Sequence, residues 1–179
     1  MRRTQLIRLR RIPLRVILAT PDDAAAIAAV RIAAADRLTR NFGIGHWSSH
    51  TNEASVRRDM GTSRVFAARD DDHIAGTFTL QRKKPWAIDI SYFTPCQKVS
   101  YLINMAVAPD RQHTGVGRLL LDEALRQAQG LRANAIRLDA YDAPAGAGVF
   151  YRKCGYAHVG GKSYRGVPLM YFELMTHLR

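Results

Sequence analysis

Cysteine, lysine, acidic residues and long apolar runs are all scarce in this chain, and each scarcity removes a class of protein. Cys96 and Cys154 are the only thiols in 179 residues. They build no framework of bridges and lack metal-ligand spacing, so no metal is expected and a reducing cytoplasm is the simplest address. No apolar stretch approaches the roughly 20 residues of a membrane span, so no membrane partner is expected. Internal repeats and low-complexity linkers are missing too. One domain of this length is long enough to bury most of its unfolded surface.

The shortage of acid bears on partners. Lys and Arg total 27 against 15 Asp and Glu, a formal net charge of +12, and only 5 of the 27 are lysines. Six arginines (Arg2, Arg3, Arg8, Arg10, Arg11 and Arg15) fall in the first fifteen residues. Such a head reads as a nucleic-acid arm, a targeting peptide or an extension ahead of the domain. Ile7, Leu9, Ile12 and Leu14 interrupt the charge, and no aromatic residue is interleaved for base stacking. Residues 1–13 are therefore read as a basic extension and 14–179 as the domain. Nucleic acid is not the expected partner, whereas the apolar residues of the head suit a neighbouring subunit in a homodimer. The remaining positive surplus would steer a polyanionic ligand toward the protein.

Periodicity predicts an alternation of strands and helices. Leu14 to Leu18 reads as a strand, and Thr20 and Pro21 open a helix carrying Ile27, Val30, Ala34 and Leu38 at helical spacing. A loop Gly43-Ile-Gly-His-Trp47 leads to a short helix from Asn52 to Met60. Strands follow at Arg64 to Arg69, Ile74 to Arg82 and Val99 to Val107. After a helix from Val116 to Gln129 come a strand at Ile136 to Ala140, a short helix, and strands near Tyr156 to Val159 and Pro168 to Leu174. This order fits an α+β fold, one mixed and mostly antiparallel sheet with helices on both faces.

The most telling stretch is Met105 to Leu120. A strand stops at Pro109, crosses a polar loop, and enters the Val116 helix through Gly115 and Gly117. The first N–H groups of a helix have no partner inside it, and the helix dipole lies behind them, so such a start suits a phosphate. Glycine lets backbone approach an anion without a Cβ in the way. Val116, Leu119, Leu120, Ala124 and Ala128 make the apolar face, and Asp122 and Arg126 are spaced for an ion pair. Neither the nucleotide P-loop nor the dinucleotide pattern is present, because Arg118 and Leu119 follow Gly117.

Val107-Ala-Pro followed by Gln112-His-Thr-Gly-Val-Gly117 resembles the Gln/Arg-x-x-Gly-x-Gly/Ala signature of the GNAT family of N-acetyltransferases. Ile136-Arg-Leu-Asp-Ala140 resembles the next strand of that family, and Phe150-Tyr-Arg-Lys-Cys-Gly-Tyr156 its Tyr-x-Lys-x-Gly-Phe/Tyr segment. The resemblance implies a single GNAT-like domain that binds acetyl-coenzyme A and passes its acetyl group to a primary amine by direct attack. Gln112, His113, Thr114, Gly115, Val116, Gly117 and Arg118 would hold the pyrophosphate. Backbone N–H groups at Met105, Ala106 and Val107 would pair with pantetheine as an added strand does, and face the oxygen that gains charge.

By the same resemblance Tyr151 is the general acid, since a phenol with a pKa near 10 stays protonated at neutral pH and can donate to a departing thiolate. Its other reading is a core aromatic, because Ala147, Phe150, Tyr151 and Cys154 share helical spacing. Asp139, twelve residues before Tyr151, stands where some members carry a glutamate base. Paired with Arg137 it would be structural instead. Glu53, Asp89 and His46 are the other candidate bases, with a water relay as a further route for the proton. Pro144 departs from the family, which often has an asparagine seven residues before the tyrosine. Gly146 and Gly148 are expected to weaken the helix that bears Tyr151.

The acceptor, a small-molecule amine or a peptide N-terminus, is expected between the Gly43–Trp47 loop and the last strands, touching His46, Trp47 and Tyr171. A non-catalytic acyl-coenzyme A sensor and a basic nucleic-acid-binding module are the alternative functions.

Overall fold

A computed structural model of the chain describes residues 13–70 and 73–176. All but the last residue of the predicted basic extension lies outside the described residues, as does most of the turn expected at Asp70 to Asp72. Seven strands form one sheet: β1 (Arg15–Leu18), β2 (Arg64–Asp70), β3 (His73–Gln81), β4 (Val99–Val107), β5 (Ala135–Tyr141), β6 (Ala157–Tyr164) and β7 (Val167–Met175). Their order is β1-β2-β3-β4-β5-β7-β6. Every neighbouring pair is antiparallel except β4 and β5. That one parallel pair is joined by α3 (Val116–Gly130), as a parallel connection requires. The other helices are α1 (Ala24–Phe42), α2 (Glu53–Thr62) and α4 (Gly148–Lys153). No helix among the described residues is long and apolar enough to cross a membrane.

Strand alternation divides the core in two. Phe66 and Ala68 join α3 and α4 residues in one cluster, while Val65 and Ala67 pack with Ile27, Val30 and Val56 of α1 and α2 in another. Helices therefore cover both faces. A third cluster places Ile88 and Phe93, from the connection before β4, on Tyr101, Leu169 and Tyr171. Arg137 of β5 and Glu173 of β7 are opposite each other in the register and form a buried ion pair on this face (2.9 Å).

Two details of the predicted helices change. The buried face of α3 uses Leu121 where Leu119 was expected, because Leu119 sits at the edge of the stripe and stays half-exposed. Arg126 pairs with Glu123 (2.6 Å) rather than Asp122, which lies 3.9 Å from Arg118. Gly146 precedes α4 instead of weakening it. It closes a turn onto the Ala143 carbonyl (2.8 Å), and a Cβ there would lie 1.9 Å from the Tyr141 carbonyl oxygen.

Candidate active site

Beyond Tyr101 and Arg137 the two parallel strands part. The β4–β5 register covers only Val99 to Tyr101 against Ala135 to Arg137, yet β4 runs on to Val107 and β5 to Tyr141. Backbone groups on the facing sides of the two strands are left without a ladder partner. Which N–H groups face the gap follows from alternation. The Ala108 N–H donates to Ala75 of β3 (2.9 Å), so Ala106, two residues earlier and paired with Thr77, also turns its backbone toward β3. Met105 and Val107 then point into the gap. Of the three strand residues expected to serve a ligand, Ala106 does not offer its N–H there, because the β3 ladder takes it.

The loop after β4 is held at several points. The Val107 carbonyl accepts from Gln112 Nε2 (3.2 Å), and Thr114 Oγ1 donates to the Arg111 carbonyl (2.6 Å). Arg37 of α1 donates to the Pro109 carbonyl (2.9 Å), and Arg111 is salt-bridged to Asp70. Neither arginine was singled out from the sequence: Arg37 lies far from the Met105–Leu120 stretch, and Arg111 precedes the Gln112 motif. Gly115 precedes α3 with φ 94°, a conformation that L side chains rarely adopt, and His113 also has positive φ. No side chain caps α3 and no acid lies in its first turn, so the N–H groups of Val116, Gly117 and Arg118 are open to an anion. His113, Thr114, Gly115 and Arg118 are exposed. Gly117 also has a packing reason. A Cβ there would stand 3.0 Å from the Phe150 ring, so this glycine admits α4 beside α3. Arg118 spans the same junction by donating to the Lys153 carbonyl (3.3 Å).

Tyr151 and Asp139 flank the gap from opposite faces. Tyr151, on the α3–α4 side, is 7% exposed among Tyr156, Phe172 and Phe150. Its ring belongs to the core, and its hydroxyl reaches β4, 3.8 Å from Met105 Sδ. Burial first, then the charges of Asp139 and Cys154, push its phenol well above the usual range. Asp139 is opposite Tyr171 in the sheet, on the α1 face. The expected pairing of Asp139 with Arg137 does not form, because Arg137 is committed to Glu173, the Thr94 carbonyl and the Phe93 ring (4.8 Å). Burial pushes the Asp139 carboxyl up. The other candidate bases have surroundings of their own. Glu53 is paired with Arg57 (2.8 Å), and Asp89 is lowered to about 2 by hydrogen bonds from Ser91 and Lys162. His46 uses its carbonyl, not its ring, to accept from Tyr141 (3.2 Å).

On the Asp139 face, the loop after α1 touches β5. Trp47 meets Tyr141 edge-on at 6.0 Å and donates its indole N–H to the Gly43 carbonyl (3.0 Å). Tyr171 is held by the segment before β4. It is 0% exposed, its hydroxyl donates to the Ala87 carbonyl (2.6 Å), and the Asp89 N–H donates back (3.3 Å). The hydroxyl is thus spent on anchoring the segment before β4. That segment and the β6–β7 hairpin border a recess of about 390 Å³ lined in part by Trp86, Ile90, Lys162 and Tyr171.

Comparison with known proteins agrees with this geometry. A model described as "Acetyltransferase (GNAT) domain" matches residues 61–158. The Escherichia coli ribosomal-protein-S18-alanine N-acetyltransferase is 16% identical, with 92% of this chain and 94% of that one aligned at TM-score 0.67. The ribosomal-protein-alanine N-acetyltransferase of Brucella melitensis is 18% identical over 90% of this chain and 99% of its own (TM-score 0.66). The yncA protein of Salmonella typhimurium, solved with its cofactor acetyl-CoA, is 14% identical over 93% and 95% (TM-score 0.67). At such identities the likeness concerns the fold. No curated protein matches the sequence significantly. The family uses acetyl-CoA as its cosubstrate, and the open α3 start and the parted strands are suited to a long phosphorylated thioester. With more than half its length matched by the family's model, this chain belongs to the GNAT acetyltransferases.

Proposed function

We propose that the protein is an acetyl-CoA-dependent N-acetyltransferase whose acceptor is a primary amine, a small molecule or a peptide N-terminus. The observation that carries this reading is the gap between β4 and β5, with the protonated phenol of Tyr151 on one face and the carboxyl of Asp139 on the other. Gln112 to Arg118 would hold the pyrophosphate at the start of α3, and Met105 and Val107 the pantetheine amides. When bound, acetyl-CoA supplies an electrophilic thioester carbonyl. The N–H groups of Met105 and Val107 are free to donate to an oxygen gaining charge in the gap. Asp139 accepts a proton from the acceptor's ammonium on the α1 face, its basicity raised by burial. Tyr151 keeps its proton at neutral pH and can give it up on the α3 face. Trp47 and the His46 backbone border the acceptor's approach. The two ribosomal-protein-alanine N-acetyltransferases among the structural neighbours support a peptide N-terminus as one candidate acceptor.

The test is turnover of acetyl-CoA with a panel of small amines and of peptides differing in their first residue. Amine-dependent release of free thiol is the expected result. Tight binding of acetyl-CoA without release for any acceptor would favour a non-catalytic acyl-CoA sensor.

A further inference from the structure

β4 is irregular immediately before the residues that face the gap. Its register with β3 passes from Thr79↔Ile103 to Thr77↔Ala106, so Asn104 and Met105 both stand opposite Phe78. Asn104 adopts φ 53°, in the left-handed region. This extra residue bends the strand and resets which backbone groups point sideways. Without it, the alternation that turns Met105 and Val107 toward the gap would be out of phase by one residue. Asn104 is exposed, so packing does not hold it there.

A polar clamp does. Asn104 Nδ2 donates to Asp59 Oδ2 of α2 (3.2 Å). The same oxygen accepts from Arg31 Nη1 of α1 (3.1 Å), and Arg31 Nη2 donates to Thr79 Oγ1 of β3 (3.1 Å). The Arg31 side chain is 9% exposed, and the Asp59 side chain 34%. The clamp thus grips both strands beside the irregularity, Thr79 on β3 and Asn104 on β4, from two helices outside the motif. We infer that Asp59 is a positioning residue for acetyl transfer, which through Asn104, and backed by Arg31, holds the β4 bulge that aims the Met105 and Val107 N–H groups into the gap. The inference rests on the transferase reading above.

The experiment compares Asp59→Ala, Asp59→Asn and Asn104→Gly with the parent. Asp59→Ala removes the acceptor oxygen, and kcat is expected to fall by about tenfold, since displacement of an oxyanion donor by a fraction of an ångström is costly. KM for the amine should stay within about twofold, because the acceptor's border is untouched. Asp59→Asn keeps an acceptor oxygen and should retain most of kcat. In the free protein, amide exchange at Ala106, on the β3 side of the bulge, should accelerate by at least about tenfold in Asp59→Ala, with exchange in α3 unchanged. Asn104→Gly keeps the backbone conformation accessible while losing the side-chain contact, and it replaces Asp59→Ala should that variant fail to fold. Unchanged kcat and unchanged Ala106 exchange in a folded variant would overturn the inference. A parent that binds acetyl-CoA but transfers to no amine would overturn the transferase reading instead, leaving Ala106 exchange to decide on the clamp.

Discussion

The two sides of the gap are made from different materials. On the α3 side, an anion is offered backbone N–H groups, placed by one continuous segment from Gln112 to Arg118 and by a single left-handed glycine. On the α1 side, an acceptor would meet side chains from separate parts of the chain: Trp47 after α1, and Asp139 and Tyr141 on β5. Backbone donors are the same whatever the residue, so the first side tolerates sequence change wherever the turn survives. Side-chain walls change with every substitution, so the second side can be refitted to new acceptors while the first is kept.

If that contrast is right, the largest loss comes from the backbone side. Gly115→Asp adds strain at φ 94° and a carboxylate in front of the α3 N–H groups. Acetyl-CoA at about 100 times its dissociation constant should stabilise the parent by roughly 2.7 kcal/mol, several degrees in melting temperature at this size. Gly115→Asp should lose that shift. Gly115→Ala, strained but uncharged, should melt lower yet still respond to the ligand. Equal responses from both variants would mean the anion does not sit at the start of α3.

A smaller effect is expected at Tyr151, where core and chemistry share one side chain. Tyr151→Phe keeps the ring packing against Tyr156 and Phe172 and removes only the hydroxyl. Turnover should fall by about 10²-fold with acetyl-CoA affinity nearly intact, if proton donation is its part. Full activity in single-turnover measurements would leave Tyr151 with its packing role alone.

The smallest effect is the pH response at Asp139. Burial raises its folded pKa, so the folded state holds the proton more tightly than the unfolded state. Stability contributed by this group is present below the unfolded value of about 3.9 and is lost as pH rises through the folded pKa. Asp139→Asn should therefore raise the melting temperature at pH 7, with the gain shrinking as pH falls toward about 4. The same variant should lower turnover across the range. A lower melting temperature at pH 7 would show that the carboxylate has a stabilising partner.

Element order and the Gly115 turn were legible in the sequence because they rest on local pattern: period-2 strands, a 3.6-period helix and a turn that needs glycine. The candidate acid and base were legible only through motif likeness, and their surroundings were not. That Arg137 belongs to Glu173 and leaves Asp139 alone depends on β5 lying beside β7. Tyr171, expected at the acceptor site, carries a second role. It became an anchor because the 85–93 connection folds back over it, a choice no spacing along the chain encodes.

Local covalent geometry and hydrophobic period, which act over a few residues, thus let the sequence alone determine the strand and helix order and the glycine turn at the start of α3. Tertiary structure alone decided where the sheet opens, that Arg137 pairs with Glu173 rather than Asp139, and how Asp59, backed by Arg31, comes to grip Asn104. Those outcomes depend on contacts between residues far apart in the chain, such as Arg37 with Pro109 or Asp59 with Asn104, whose partners are chosen only when the whole core packs.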